Sequence, residues 1–203
     1  MSNNSDTYLT IDEPSKEAIF KDKGSKFIAY AFPLTSENEV NSHIQFLKNE
    51  HHKARHWCYA WRIGVDSPKY RANDDGEPNN SAGQPIYGQI LSFKLTNILV
   101  VVVRYFGGTK LGVGGLINAY KTAANLTLQN SKILNKTIDI YYNLKFDYID
   151  MNKVMRLVKE KKLKIKSQTM DLDCNYTISV RKNDAIQVKR AFENLRCVKI
   201  SEI

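Results

Sequence analysis

The run from Val100 to Gly115 constrains this chain more than any other part of it. Four consecutive valines, Val100 to Val103, read as a buried strand, because branched side chains suit a pleated surface packed on its neighbours. A glycine-rich turn follows and leads into a helical pattern from Leu116 to Leu128. Five of the ten glycines, Gly107, Gly108, Gly112, Gly114 and Gly115, fall in this one turn. Glycine accepts positive φ and lets another backbone or an anion approach closely. A strand, a bare loop and a helix start together make an anion site, since unpaired N–H groups and the helix dipole point the same way. Arg104 and Lys110 add positive charge at the two ends of the turn. The order differs from the P-loop, where Lys follows the last Gly, and from the dinucleotide fingerprint. Two readings fit the loop: a cradle for phosphate, or tight packing of the turn on its helix.

The chain of 203 residues is long enough for one large or two small domains, and its 42% apolar content supplies real cores. No window approaches the roughly 18 uninterrupted apolar residues of a membrane span, so no membrane partner is expected. Met1 to Asp12 is polar and acidic without an apolar h-region, unlike a secretory signal. Three cysteines without framework spacing fit a reducing cytoplasm, so a cytoplasmic location is expected. The net charge is +9, of which residues 132–203 carry +7, from 16 Lys/Arg against 9 Asp/Glu. That bias points the C-terminal part at an anionic surface, with Lys162 and Lys164 in its densest basic run. A solvated lysine face that maintains solubility is the plainer alternative.

Hydrophobic periodicity divides the chain in two. Lys26–Leu34, His56–Val65 and Ile98–Tyr105 read as strands, and Val113–Asn130 as a helix with Leu116, Tyr120, Ala123, Ala124 and Leu128 inward. Ser36 to His51 reads as a helix, with Ser36 and Glu39 as a capping box. Asp66 to Pro85 is a loop with room for one short strand, and Ile86 to Phe93 a short helix. After Ser131 the pattern restarts: strand from Thr137, helix from Tyr148, strands over Leu163–Leu172 and Tyr176–Arg181, a helix capped by Asn183, and a last strand from Val198. The order βαββαβ is that of a ferredoxin-like module. The expected organisation is therefore α+β, with domains at 16–131 and 137–203.

Two further clusters carry candidate chemistry. Asp74, Asp75 and Glu77 place three carboxylates around Gly76, which could hold a divalent cation, act as acid and base, or simply cap nearby backbone amides. His51, His52, His56 and Cys58 invite a zinc reading, but a downstream ligand pair is missing, and structural zinc needs about four ligands. No catalytic residue, cofactor or metal is assigned from these patterns.

Lys23-Gly-Ser-Lys-Phe-Ile-Ala, Ala54-Arg-His-x-Cys-x-Ala60, Asp74-Asp-Gly-Glu-Pro78 with Ala82-Gly-x-Pro85, and Arg104-Tyr-Phe-Gly-Gly-x-Lys-Leu-Gly112 with Gly114-Gly-Leu116 resemble the IMPACT family. The two-domain arrangement is similar to its bacterial YigZ-type branch. The resemblance implies an N-terminal α/β domain of the type found in ribosomal proteins and in domain four of elongation factor G, followed by a ferredoxin-like βαββαβ domain. It also implies a link to translation, because eukaryotic relatives regulate translation by competing for an activator of an eIF2α kinase. The pattern is departed from in three places: Asn79-Asn80-Ser81 after the acidic turn, Trp57 between His56 and Cys58, and Asn118 where many relatives carry Arg. Asn tolerates left-handed backbone geometry, so the turn is expected to survive.

The expected function is that of a non-enzymatic, translation-linked regulator that binds RNA or the ribosome. Arg104, Lys110 and the backbone of Gly107 to Gly115 would hold phosphate, Arg55 with Trp57 would stack on a base, and Lys162 and Lys164 would add attraction. The alternatives are an enzyme acting on a phosphorylated small molecule, with Asp74, Asp75 or Glu77 on a metal, and a regulator with a protein partner.

Overall fold

The computed structural model describes residues 6–203. Met1 to Ser5, part of the polar N-terminus read above, lie outside the described residues. Clustering of backbone contacts separates two compact units: Tyr8–Lys136, and Thr137–Ile203 together with Asp6 and Thr7.

The larger unit contains strands β1 (Thr7–Ile11), β2 (Ala18–Asp22) and β3 (Ser25–Pro33), helix α1 (Glu39–Glu50), and strands β4 (His56–Ile63) and β5 (Lys69–Asn73). Helix α2 (Gly83–Ser92), strand β6 (Ile98–Tyr105), helix α3 (Gly112–Gln129) and strand β7 (Ile133–Thr137) complete it. Five strands form an antiparallel sheet in the order β2-β3-β6-β4-β5, and β1 pairs with β7 in a separate two-stranded sheet.

The valine run occupies the central strand, and both of its faces are covered. Ile98, Val100 and Val102 pack with Ile86 and Ile90 of α2 and Leu116, Tyr120 and Ala124 of α3. Leu99, Val101 and Val103 pack with Val40, Ile44 and Leu47 of α1. A central strand between two helical layers has no polar face, so its sequence shows no alternation. Edge strands do alternate: β2 buries Ala18 and exposes Ile19 and Lys21.

Several boundaries differ from expectation for reasons beyond local pattern. Helix α1 starts at Glu39, not Ser36; the Ser36 hydroxyl accepts the Asn38 amide at 3.3 Å just before the helix. The Glu39 carboxylate accepts from the Thr35 hydroxyl at 2.6 Å instead of closing a capping box with Ser36. Helix α2 begins three residues before Ile86, at Gly83. Strands β1, β2 and β7 were not expected; β2 is held as the hairpin partner of β3. The hairpin turn is Lys23-Gly24, with φ of 42° and 80°, as a two-residue turn of the type I′ class requires.

The smaller unit runs β8 (Asp139–Phe146), α4 (Met151–Glu160), β9 (Lys164–Met170), β10 (Cys174–Arg181), α5 (Ala185–Glu193) and β11 (Val198–Glu202). Its sheet has the order β11-β8-β10-β9 and is antiparallel throughout. The core is built from Leu144, Val154, Tyr176, Ile178 and Phe192. Asn183 does not cap α5: it sits within a 3-10 turn, Lys182–Asp184, and the helix begins at Ala185. The carboxylate of Asp6 pairs with Arg181 in this unit, which holds the Asp6 carboxyl below its usual range. Among the described residues, no helix is long and apolar enough to cross a membrane.

Candidate functional site

The glycine turn divides its residues between the two readings. Gly107 lies against the β2–β3 hairpin and donates its amide to Ser25 Oγ at 3.2 Å. A Cβ on Gly107 would stand 1.9 Å from the Gly24 carbonyl carbon, so packing requires glycine here. At Gly115 an added Cβ would meet the Leu111 Cβ at 2.9 Å. Gly108 and Gly112, with φ of 87° and 73°, have no atom within 4 Å of that position, and neither has Gly114. These three leave the backbone bare toward solvent.

Helix α3 therefore begins in the open. Its N-cap residue, Leu111, offers no side-chain acceptor, and its first turn holds no acidic residue. The leading amides of an α-helix have no partner within the helix, and here they sit on exposed residues Gly112, Val113 and Gly114. Lys110 is exposed beside them, as is Asn118 one turn on. A concentration of N–H dipoles at the start of an 18-residue helix favours a negative group.

Arg104 stands differently from Lys110. It projects from β6 on the α3 side of the sheet, is buried, and places Nη1 2.6 Å from Glu77 Oε1. Its guanidinium lies 5.5 Å from the ring centres of both Phe27 and Phe106. Tyr120 of α3 donates to the same Glu77 oxygen at 2.8 Å, and Cys58 Sγ lies 3.3 Å from the Tyr120 hydroxyl. Burial pushes the Cys58 thiol and the Tyr120 hydroxyl well above their usual ranges, so both stay protonated. The network ties β4, the acidic turn, β6 and α3 together beneath the glycine loop.

The acidic turn is consumed by the protein itself. Asp74 accepts the amides of Asn80, Ala82 and Gly83 at 2.8–2.9 Å, and so caps the start of α2 from nine residues upstream. Asp75 accepts the Trp57 amide at 2.7 Å, and its carbonyl meets His56 Nδ1 at 2.8 Å. Glu77 holds Arg104 and Tyr120. Of the three readings of the turn, capping is what these bonds describe. Asn80 takes φ of 61°, the left-handed geometry that Asn tolerates, so the turn survives there. Among the described residues, no group of three or more His, Cys, Asp or Glu is placed to hold a metal.

Arg55 is exposed just before β4, whose His56 pairs with Arg104, so it belongs to the glycine-loop end of the sheet. Trp57 points to the opposite, α1 side and donates its indole N–H to the Leu47 carbonyl at 3.3 Å. Lys162 is exposed in the turn after α4, and Lys164 is exposed at the start of β9, both in the smaller unit. Sequence reasoning gave no role to Gly24, Ser25 or the Tyr120 hydroxyl. The pairing of Gly24 with Gly107 leaves no sequence signal except that both are glycine, while Tyr120 stood out only as an apolar-face residue.

Fold and site define a two-unit α/β protein whose larger unit presents an uncapped, glycine-bared helix start above a buried Arg–Glu–Tyr network. A family model for the Impact N-terminal domain matches residues 23–128. IMPACT family member YvyE of Bacillus subtilis is 33% identical over 160 residues, covering 79% of this chain and 73% of that protein. IMPACT family member YigZ of Escherichia coli is 34% identical over 138 residues, covering 67% of this chain and 68% of that protein. The chain belongs to the IMPACT family. The fold is shared along its length with a crystal structure described as a hypothetical protein, at a TM-score of 0.72 and 24% identity over 98% of each chain.

Proposed function

We propose that this protein is a non-enzymatic, translation-linked regulator of the cytoplasm that binds RNA or the ribosome through the start of α3. The observation that carries the reading is the exposed, uncapped helix start, with open space over Gly108, Gly112 and Gly114 and Lys110 at its side. Arg104 supports the loop from below, with Nη1 committed to Glu77. Arg55 and the basic Lys162 and Lys164 add sequence-independent attraction. The translation link comes from the family resemblance. In this reading residues 16–131 form the IMPACT-type domain, of the kind seen in domain four of elongation factor G, and residues 137–203 a ferredoxin-like domain.

The test is binding of labelled RNA, duplex DNA and ribosomal subunits across a salt series, with Lys110→Ala and Gly114→Asp beside the wild type. Gly114→Asp places a carboxylate in open space at the helix start, where it competes with an incoming phosphate. Selective RNA or ribosome binding that weakens about tenfold or more in both variants is expected, with affinity falling as salt rises. Binding that ignores both substitutions, or ignores salt, would remove the reading. A protein partner in translation control is the second reading, favoured by Phe106, Val113 and Ile117, which are 38–53% exposed around the same loop. The metal-dependent alternative has little support, because each carboxylate of the acidic turn already has protein donors.

A further inference from the structure

A second site lies on the opposite face of the five-stranded sheet. Strand β4 sends Trp57, Tyr59 and Trp61 to the α1 side, at the period of two that places alternate residues on one face. Across the ladder, Tyr59 pairs with Asn73 and Trp61 with Arg71, so an amide and a guanidinium stand next to the aromatic row. Helix α1 covers only part of this face. A cleft of about 370 Å³ remains between α1 and β5, lined by these residues together with Asn41 and Lys48.

The charges in the cleft are unequal in availability. Asp75 accepts the Trp57 amide with Oδ2, and Glu37 faces Lys69 at 3.8 Å. Arg71 and Lys48 have no carboxylate partner among the described residues; Lys48 rests 5.4 Å from the centre of the Trp57 ring. The Tyr59 hydroxyl and the Asn41 amide also lack hydrogen-bond partners there, although both line the cleft. Aromatic faces, two cations without a carboxylate partner and unpaired amide and hydroxyl groups match one chemistry: a planar base attached to a phosphate. Base stacking on aromatic side chains, with cations on the backbone, is how single strands are held. The volume is near the lower end of the roughly 300–1,000 Å³ usual for ligand sites, room for one nucleoside.

We infer that this cleft binds a single unpaired nucleotide, its base against the Trp57–Tyr59 row and its phosphate on Arg71 and Lys48. The inference stands on different residues from the glycine-loop reading and does not rest on it. A free nucleotide and an unpaired nucleotide within RNA share this chemistry.

Trp57 and Trp61 are the only two tryptophans in the chain, so intrinsic fluorescence reports the cleft directly. The full-length protein is titrated with nucleoside monophosphates, a single-stranded RNA hexamer and an RNA duplex. Saturable quenching by the monophosphates or the hexamer is expected. A tighter hexamer assigns the site to RNA, and equal affinities assign it to free nucleotides. Tyr59→Ala should weaken binding by roughly 5-fold to 150-fold through lost stacking. Arg71 is exposed with no side-chain partner among the described residues, so Arg71→Ala keeps the fold; it should weaken binding and lower the salt slope by about 0.7 for the hexamer. Lys199→Ala, at an exposed lysine of the smaller unit, should leave the quenching unchanged. No quenching by any single-stranded ligand, equal quenching by duplex, or loss in Lys110→Ala but not Arg71→Ala would overturn the proposal. In that last case the glycine-loop reading would survive, and RNA retention measured by filter binding separates the two failures.

Discussion

Replacing Glu77 by Ala tests the buried network most directly. The Glu77 and Arg104 side chains are only 4% and 7% exposed, and their charged atoms are 2.6 Å apart. Removing one member of such a pair leaves the other charge buried and uncompensated, at a cost of about 3–5 kcal/mol. Arg104 would keep its contacts with Phe27 and Phe106, whose rings continue to stabilise the guanidinium charge. That places the expected loss near the lower bound, about 3 kcal/mol. Urea unfolding followed by tryptophan emission is the assay, because both tryptophans lie on β4 and report the larger unit alone. With a slope of about 2 kcal/mol per molar urea, the midpoint should fall by roughly 1.5 M. The double variant Glu77→Ala/Arg104→Met removes both charges and should recover at least about half of the loss. A midpoint shift below about 0.5 M, or a double variant weaker than the single, would refute the argument that the pair is a buried electrostatic unit.

Gly107→Ala should destabilise the larger unit by roughly 1–3 kcal/mol through overpacking against Gly24. Gly114→Ala, with no atom within 4 Å, should gain a few tenths to about 1 kcal/mol in the same urea assay. Stability should also fall as pH drops below about 6.5. Burial lowers the His51 and His43 pKa values in the fold, so the unfolded chain binds more protons in that range; the stability is complete above the unfolded value and is lost as pH falls toward the folded ones. His51 Nε2 and Nδ1 meet the hydroxyls of Tyr30 and Tyr105 at 2.8 and 3.0 Å. His51→Gln should flatten the decline between pH 7 and pH 5.5, and an unchanged slope would show that His51 does not contribute.

The chain itself determined what repeats locally. The valine run of β6, the apolar spacing of α3 and α4 and the βαββαβ order of residues 137–203 follow from which side of each element is apolar, and periodicity reports that directly. The turn at Asn80 was readable as well, because left-handed backbone is a property of single residues. Only the tertiary structure decided the partners. Arg104 meets Glu77 from 27 positions away, Asp74 starts α2 from across a turn, and Gly24 makes Gly107 a packing residue while Gly114 stays open. It also set Trp57, Tyr59 and Arg71 around one cleft while turning Arg104 to the other face. The physical reason is one of range. Propensity and amphipathicity act over a few residues, whereas a buried charge or a bare amide is satisfied by whichever distant segment the packing brings within about 3 Å.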